Sequence, residues 1–180
     1  MGRCRFTRAQ RDSPVSAARR VLLFGGLALA IWGMGYGLWY ALFAEHQALI
    51  GIGTSLAGAF TSAAQRNADL VGSYLQHYKE AKFVYDRQVD VHSHWIGLAM
   101  LLITLAIYFD RLAFSDKWKA LLAWGALLGA VLFPFGVLLQ TYNHGAVPWL
   151  LAVLGSALEI ASLFLMAIGF ARRPSSPSRS

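Results

Sequence analysis

Charged residues are scarce in this chain. Of its 180 residues only 14% are charged, while 57% are hydrophobic, against about 25% charged in a typical soluble domain. That shortfall excludes an ordinary water-facing surface and points to one facing lipid. Cysteine is nearly absent: Cys4 stands alone, so there is no internal disulfide and no Cys-x-x-Cys pair for metal or redox chemistry. There is no phosphate loop, no serine nucleophile elbow and no internal repeat. The Met-Gly-Arg-Cys start carries Phe6 where myristoylation needs Ser or Thr.

What the chain does have is four apolar runs. They cover about 21–43, 92–109, 120–139 and 147–170, each long enough to cross roughly 30 Å of hydrocarbon. Backbone groups in lipid must be satisfied within their own segment, so each run is expected to be a helix. Pro148 falls near the first turn of the fourth run, where proline is tolerated. Arg19-Arg20 precedes the first run in the manner of an export signal. That run of 23 residues exceeds the apolar core of a signal peptide, and no small-x-small cleavage site follows it, so it reads as a retained span. The expected fold is all-α: a four-transmembrane-helix bundle in one domain, 21–171, between a basic tail (1–20) and a disordered one (172–180).

Basic residues set the expected orientation. Arg3, Arg5, Arg8, Arg11, Arg19 and Arg20 crowd the N-terminal tail. Arg111, Lys117 and Lys119 lie between the second and third spans, and Arg172, Arg173 and Arg179 follow the fourth. The segment between the third and fourth spans has no Lys or Arg. Both termini are therefore expected in the cytoplasm of a multi-pass cell-membrane protein. The basic tail then acts as a topology anchor, with the bilayer rather than nucleic acid as partner. Segment 44–91 would lie outside. Its second half puts Leu70, Val71, Tyr74, Leu75 and Tyr78 on one stripe, opposite Gln65, Asp69, Gln76 and Lys79, the pattern of an additional amphipathic helix on the outer interface or capping the bundle. Leu49–Phe60, apolar but interrupted by Gly51, Gly53 and Gly58, reads equally as an extension of the first span or a shallow interfacial segment.

Chemistry concentrates in five histidines, all at or beyond the expected outer ends of spans. His46 follows the first span, His77 lies on the amphipathic stretch, His92 and His94 open the second span, and His144 lies after the third. Neutral imidazole is the commonest metal ligand. A haem iron needs one or two axial ligands and an apolar wall; a copper or zinc site needs three or four converging ligands. In a helix, His92 and His94 stand about 200° apart and cannot face one axis; in a non-helical turn both could bind one metal. Glu45 and Asp90 adjoin His46 and His92 and could orient an imidazole. Interfacial anchoring is the plain alternative for each histidine. Tyr142 and Asn143, with Gln140, add polar groups beside His144. Glu159 falls mid-span, where a carboxylate is costly unless neutral or paired. It is expected to be protonated at neutral pH, or hydrogen-bonded to groups such as Ser156 or Ser162. Gly33/Gly37 and Gly125/Gly129, each four apart, allow close approach of helices or of a flat ligand.

The stretch 90–107, DVHSHWIGLAMLLITLAI, resembles the second helix of small four-span haem-b membrane proteins, the styrene oxide isomerases among them. A similar His-x-His-opened helix occurs in proteins related to haem-copper oxidase subunit I. The resemblance continues through FSDKWKALLAWGALLG and the short third-to-fourth loop, about the last half of the chain. It implies a four-helix bundle able to assemble as a trimer, with haem b held by His92 as axial ligand; where two ligands are used, His94, His144 or His46 could supply the second. An asparagine the isomerases place six residues after the ligand is Leu98 here (Met100 if His94 is the ligand), and their third-helix tyrosine falls at Phe135 or Gly136. The resemblance thus carries the haem ligand and not the substrate-handling pair. It implies an oxidoreductase or an isomerase in a homo-oligomer or larger membrane complex. The alternatives are a membrane protein binding copper or another metal and a non-catalytic subunit or assembly partner of a larger membrane complex.

Overall fold

In a computed structural model, the protein is described over residues 16–172. The arginines before Ser16, Cys4 and the tail after Arg172 lie outside the described residues. Five helices follow one another: α1 (Ala17–Phe43), α2 (Glu45–Ala64), α3 (Ala68–Tyr108, closed by a 3-10 turn at Phe109–Arg111), α4 (Asp116–Leu139) and α5 (Ala146–Ala171). α1, α3, α4 and α5 are each long and apolar enough to cross a membrane, the architecture of a multi-pass membrane protein. Pro148 occupies the third position of α5, within the first turn, as expected. The outward faces of the four helices are strongly apolar: Ile31 is 72% exposed, Phe164 66% and Ile160 66%. In water such a surface would drive aggregation; a bilayer solvates it.

The segment 44–91 departs from the expected plan. No separate amphipathic helix forms there. Residues 68–91 are the N-terminal half of α3, and the helix runs unbroken into the second span. At about 1.5 Å per residue, α3 is roughly 60 Å long, twice the hydrocarbon thickness. The apolar Leu49–Phe60 stretch belongs to α2, which extends α1. Ala44 bends the chain at φ −119° and ψ −36°, yet the helical ladder continues through it, with Ala44 N–H donating to Tyr40 O and Ala48 N–H to Ala44 O. α2 packs antiparallel on the projecting half of α3, Gly58 lying against the Tyr74 ring. The outer surface of that half carries Gln76–Glu80 and Lys82–Asp86 pairs four residues apart, the spacing at which helical side chains meet.

The turn between α2 and α3 is tight. Arg66 N–H donates to Ala63 O and Asn67 N–H to Ser62 O, a Schellman closure with Arg66 in the left-handed region at φ 56°. The Asn67 side chain then accepts from Leu70 N–H and caps α3.

α1, α3 and α4 enclose the core, where Leu22, Leu29, Val91, Trp95, Ala99, Leu102, Ala123, Ala126 and Ala130 interlock. α5 packs on α4. Small residues set that contact: a Cβ on Gly136 would collide with the Ala152 backbone, and one on Gly155 with the Phe133 backbone. Without a hydrophobic force between helices in lipid, such close backbone approach supplies the van der Waals packing that holds them. At the end where both tails emerge, Asp110 accepts from the Ser16 hydroxyl at 2.6 Å and pairs with Arg19 at 3.3 Å. Lys119 donates to the Asp110 carbonyl, so one residue ties α1, the 3-10 turn and α4 together.

Candidate functional site

The helix at 92–94 decides how the histidine pair is used. Both residues are within α3, so the rings diverge as the spacing requires. His92 faces α1: its Nδ1–H donates to the Gly33 carbonyl at 3.0 Å. The ring fills the space that a Cβ on Gly37 would occupy. Gly33 and Gly37 therefore act in one device, one supplying a carbonyl and the other a seat. His94 faces α4: its Nδ1–H donates to the Asp90 carbonyl at 2.6 Å, and its ring meets Phe133 edge-on at 4.8 Å between centroids.

Both imidazoles are thus fixed by backbone carbonyls, and the carboxylates expected to orient them do other things. Asp90 pairs with Arg87 at 3.8 Å, and Glu45 opens α2. His46 and His77 are exposed on the projecting hairpin, and exposed His144 lies over the Phe83 ring at 5.2 Å. The expected convergence of imidazoles does not occur. Among the described residues no group of three His, Cys, Asp or Glu side chains could hold a metal ion. His92, His94 and His144 are seated on glycine or aromatic surfaces rather than on one another, and His46 and His77 are exposed. Asn143 has a local task, its side-chain oxygen accepting from Gly145 N–H at 2.8 Å, and Tyr142 is 75% exposed beside it.

A second set of groups, which the sequence did not single out, shares the facing stripes of α1 and α3 with His92. On α3, Gln88, His92 and Trp95 share a stripe at i, i+4 and i+7; on α1, Gly33, Tyr36, Gly37 and Tyr40 do the same. The Tyr36 and Tyr40 hydroxyls, Gln88 Oε1 and Trp95 Nε1 are all buried without a hydrogen-bond partner among the described residues. Tyr36 meets Trp95 edge-on at 5.2 Å, and Tyr40 tilts against Tyr85 at 6.4 Å. A buried polar atom left unpaired costs about 1–3 kcal/mol, so four on these two facing stripes call for water or a ligand to complete them. Next to them, Leu29, Trp32, Trp95, Leu127, Val131 and Phe135 line an apolar groove of ≈ 460 Å³ between α1 and α4.

The donor set fits a haem in one respect that matters. A histidine that ligates a metal almost always donates its other ring N–H to a carbonyl or carboxylate, which fixes the tautomer and raises ligand basicity. His92 does so through Nδ1, leaving the lone pair on Nε2. His94 is fixed in the same way by the Asp90 carbonyl but turns to α4 and Phe133, so His92 is the one such imidazole on the α1 side, with polar orphans and an apolar aromatic wall nearby. No family model, curated protein or solved structure matches the chain.

Proposed function

We propose that the protein is an integral membrane protein that binds haem b through His92 and carries out haem-dependent chemistry on a small molecule. The observation that carries this reading is the Nδ1–H bond from His92 to Gly33 over the Gly37 seat, which holds one imidazole in the tautomer a metal requires. The resemblance of 90–107 to the second helix of four-span haem-b proteins supports it independently.

When bound through a single imidazole, haem supplies a Lewis-acidic iron with one open axial position. His92 would hold the iron, and Gly33 would keep the ring oriented. Trp32 and Trp95 would wall the site from lipid, and Tyr36, Tyr40 and Gln88 would offer hydrogen-bonding groups to a substrate or to haem carboxylates. Electron transfer through two histidine ligands is less well supported, because His94, His144 and His46 each turn to a different surface. Among the described residues a copper site lacks the three converging ligands it would need.

In this reading the projecting α2–α3 hairpin, with the candidate site just beneath it, lies on the outer side and both tails are cytoplasmic, as the Lys and Arg distribution favours. The exposed apolar face of α1 suits packing in a homo-oligomer or a larger membrane complex. Haem extracted as its pyridine complex tests the assignment: wild-type protein from haem-sufficient cells should carry about one haem per chain, and His92→Ala close to none. Equal haem in the two proteins, or none in either, would overturn it.

A further inference from the structure

Glu159 lies midway along α5 and is 4% exposed. Both carboxyl oxygens are without a hydrogen-bond partner among the described residues, so the expected bonds to Ser156 and Ser162 do not form. Ser156 donates instead to the Val153 carbonyl. Across the interface stands Gly129, where a Cβ would come within 2.7 Å of Glu159 N and 2.9 Å of its Cα. α4 has thus withdrawn its side chain where the carboxyl-bearing backbone passes.

The charged alternative fails on its surroundings. α5 carries no other ionisable side chain between Ala146 and Ala171. On α4 the ionisable groups are Asp116, Lys117 and Lys119; even Lys119 is ten residues from Gly129, about 15 Å along the axis. On α3 the one facing α4 is His94, whose ring lies on Phe133, one helical turn from Gly129. None pairs with Glu159, and an unpaired carboxylate at bilayer depth is several kcal/mol too costly to persist.

A groove open at the bundle surface passes close to the carboxyl. Trp118, Leu121, Gly125, Leu158, Ser162 and Leu165 line part of a groove of ≈ 330 Å³ between α4 and α5. It begins at the first turn of α4, close to the membrane boundary, and reaches Leu158 and Ala161 on either side of Glu159, which is not itself part of the largely apolar lining. Ser162 is the one hydroxyl among its lining residues; it is 4% exposed and seated on Gly125, at 2.6 Å from where a Cβ would stand. It lies one turn from Glu159. We infer that Glu159 is a proton-binding site, loaded at neutral pH and exchanging with water through the α4–α5 groove past Ser162. The ligand is the proton itself: a metal cation needs several oxygens, and here the carboxyl stands without partners. This site is separate from the haem site and does not depend on it.

The test uses full-length protein in lipid, read by infrared difference spectroscopy between neutral and strongly alkaline pH. Wild-type protein should show a protonated-carboxyl C=O band at neutral pH that is absent in Glu159→Gln, shifts on transfer to D2O and is lost on alkalinisation. Ser162→Ala should keep the band and slow the deuterium shift several-fold. A hydrophobic carbodiimide gives a second readout. The protonated carboxyl adds across its C=N bond with the proton passing to nitrogen, and rearranges to an N-acylurea, so the Glu159 peptide gains the whole reagent mass. Modification should fall about tenfold per pH unit above the transition. A missing band at neutral pH would overturn the proposal, as would a band that neither D2O nor alkali changes. Haem content should be unaltered in Glu159→Gln, so failure here leaves the His92 reading standing.

Discussion

Gly37 and Gly35, two residues apart on α1, make opposite demands. The His92 ring fills the place of a Cβ on Gly37, whereas a Cβ on Gly35 would meet nothing within 4 Å. Gly37→Ala should therefore displace the imidazole, at a cost of about 1–3 kcal/mol for overpacking, and lower haem content in step. Gly35→Ala should leave both unchanged. Thermal unfolding in detergent and haem per chain would show the contrast; equal behaviour of the two variants would mean that the seat is unimportant. At this scale the sequence was legible in part. His92 and His94 stood out because imidazoles are rare and lay at a span end. Tyr36, Tyr40, Gln88 and Trp95 did not, because an aromatic residue in an apolar run looks the same whether it faces lipid or a polar pocket. Only the antiparallel register of α1 and α3 puts these residues on facing stripes with His92. That register also separates the histidines, through α3 being helical at 92–94, a condition their spacing could state but not decide.

Among the elements, α3 holds the clearest lesson. Residues 73–96 contain neither glycine nor proline, so nothing interrupts the helix between its polar half and its apolar half. The change from amphipathic to apolar composition marks where the helix enters the bundle; it is not a helix boundary. The Ala44 bend was hidden for the opposite reason, since alanine favours helix and gives no signal of a break. Among the described residues the single strained position lies at the α2–α3 turn, where Arg66 adopts φ 56°. A side chain there costs about 1–2 kcal/mol that glycine avoids. Arg66→Gly should raise stability by about 1 kcal/mol, seen as slower amide exchange near Ala63 and a higher unfolding midpoint. Unchanged or faster exchange would mean that the Arg66 side chain repays its strain through contacts.

For the whole molecule, the four spans were legible because length and hydrophobicity are all that a bilayer requires of a helix. The shape was less so. A hairpin rising roughly 35 Å beyond the start of the second span follows from the 24 residues of α3 before His92. Its direction relative to the cell is a matter of charge. Single cysteines placed at Arg66, Ser115 and Tyr142 in a Cys4→Ser background should separate cleanly under a membrane-impermeant maleimide. Arg66→Cys and Tyr142→Cys should react in intact cells, and Ser115→Cys only after lysis. The reverse pattern would put the hairpin in the cytoplasm.

The central claim is that a single imidazole, fixed by Gly33 and seated on Gly37, holds a haem. Absorption spectra of the purified protein, oxidised and reduced, test it most directly when taken together with His92→Gly in the presence and absence of free imidazole. Wild-type protein should give an intense Soret band that shifts on reduction. His92→Gly should lose it, and imidazole, entering the vacated space, should restore it. A colourless wild-type protein, or a band indifferent to the loss of His92, would contradict the account.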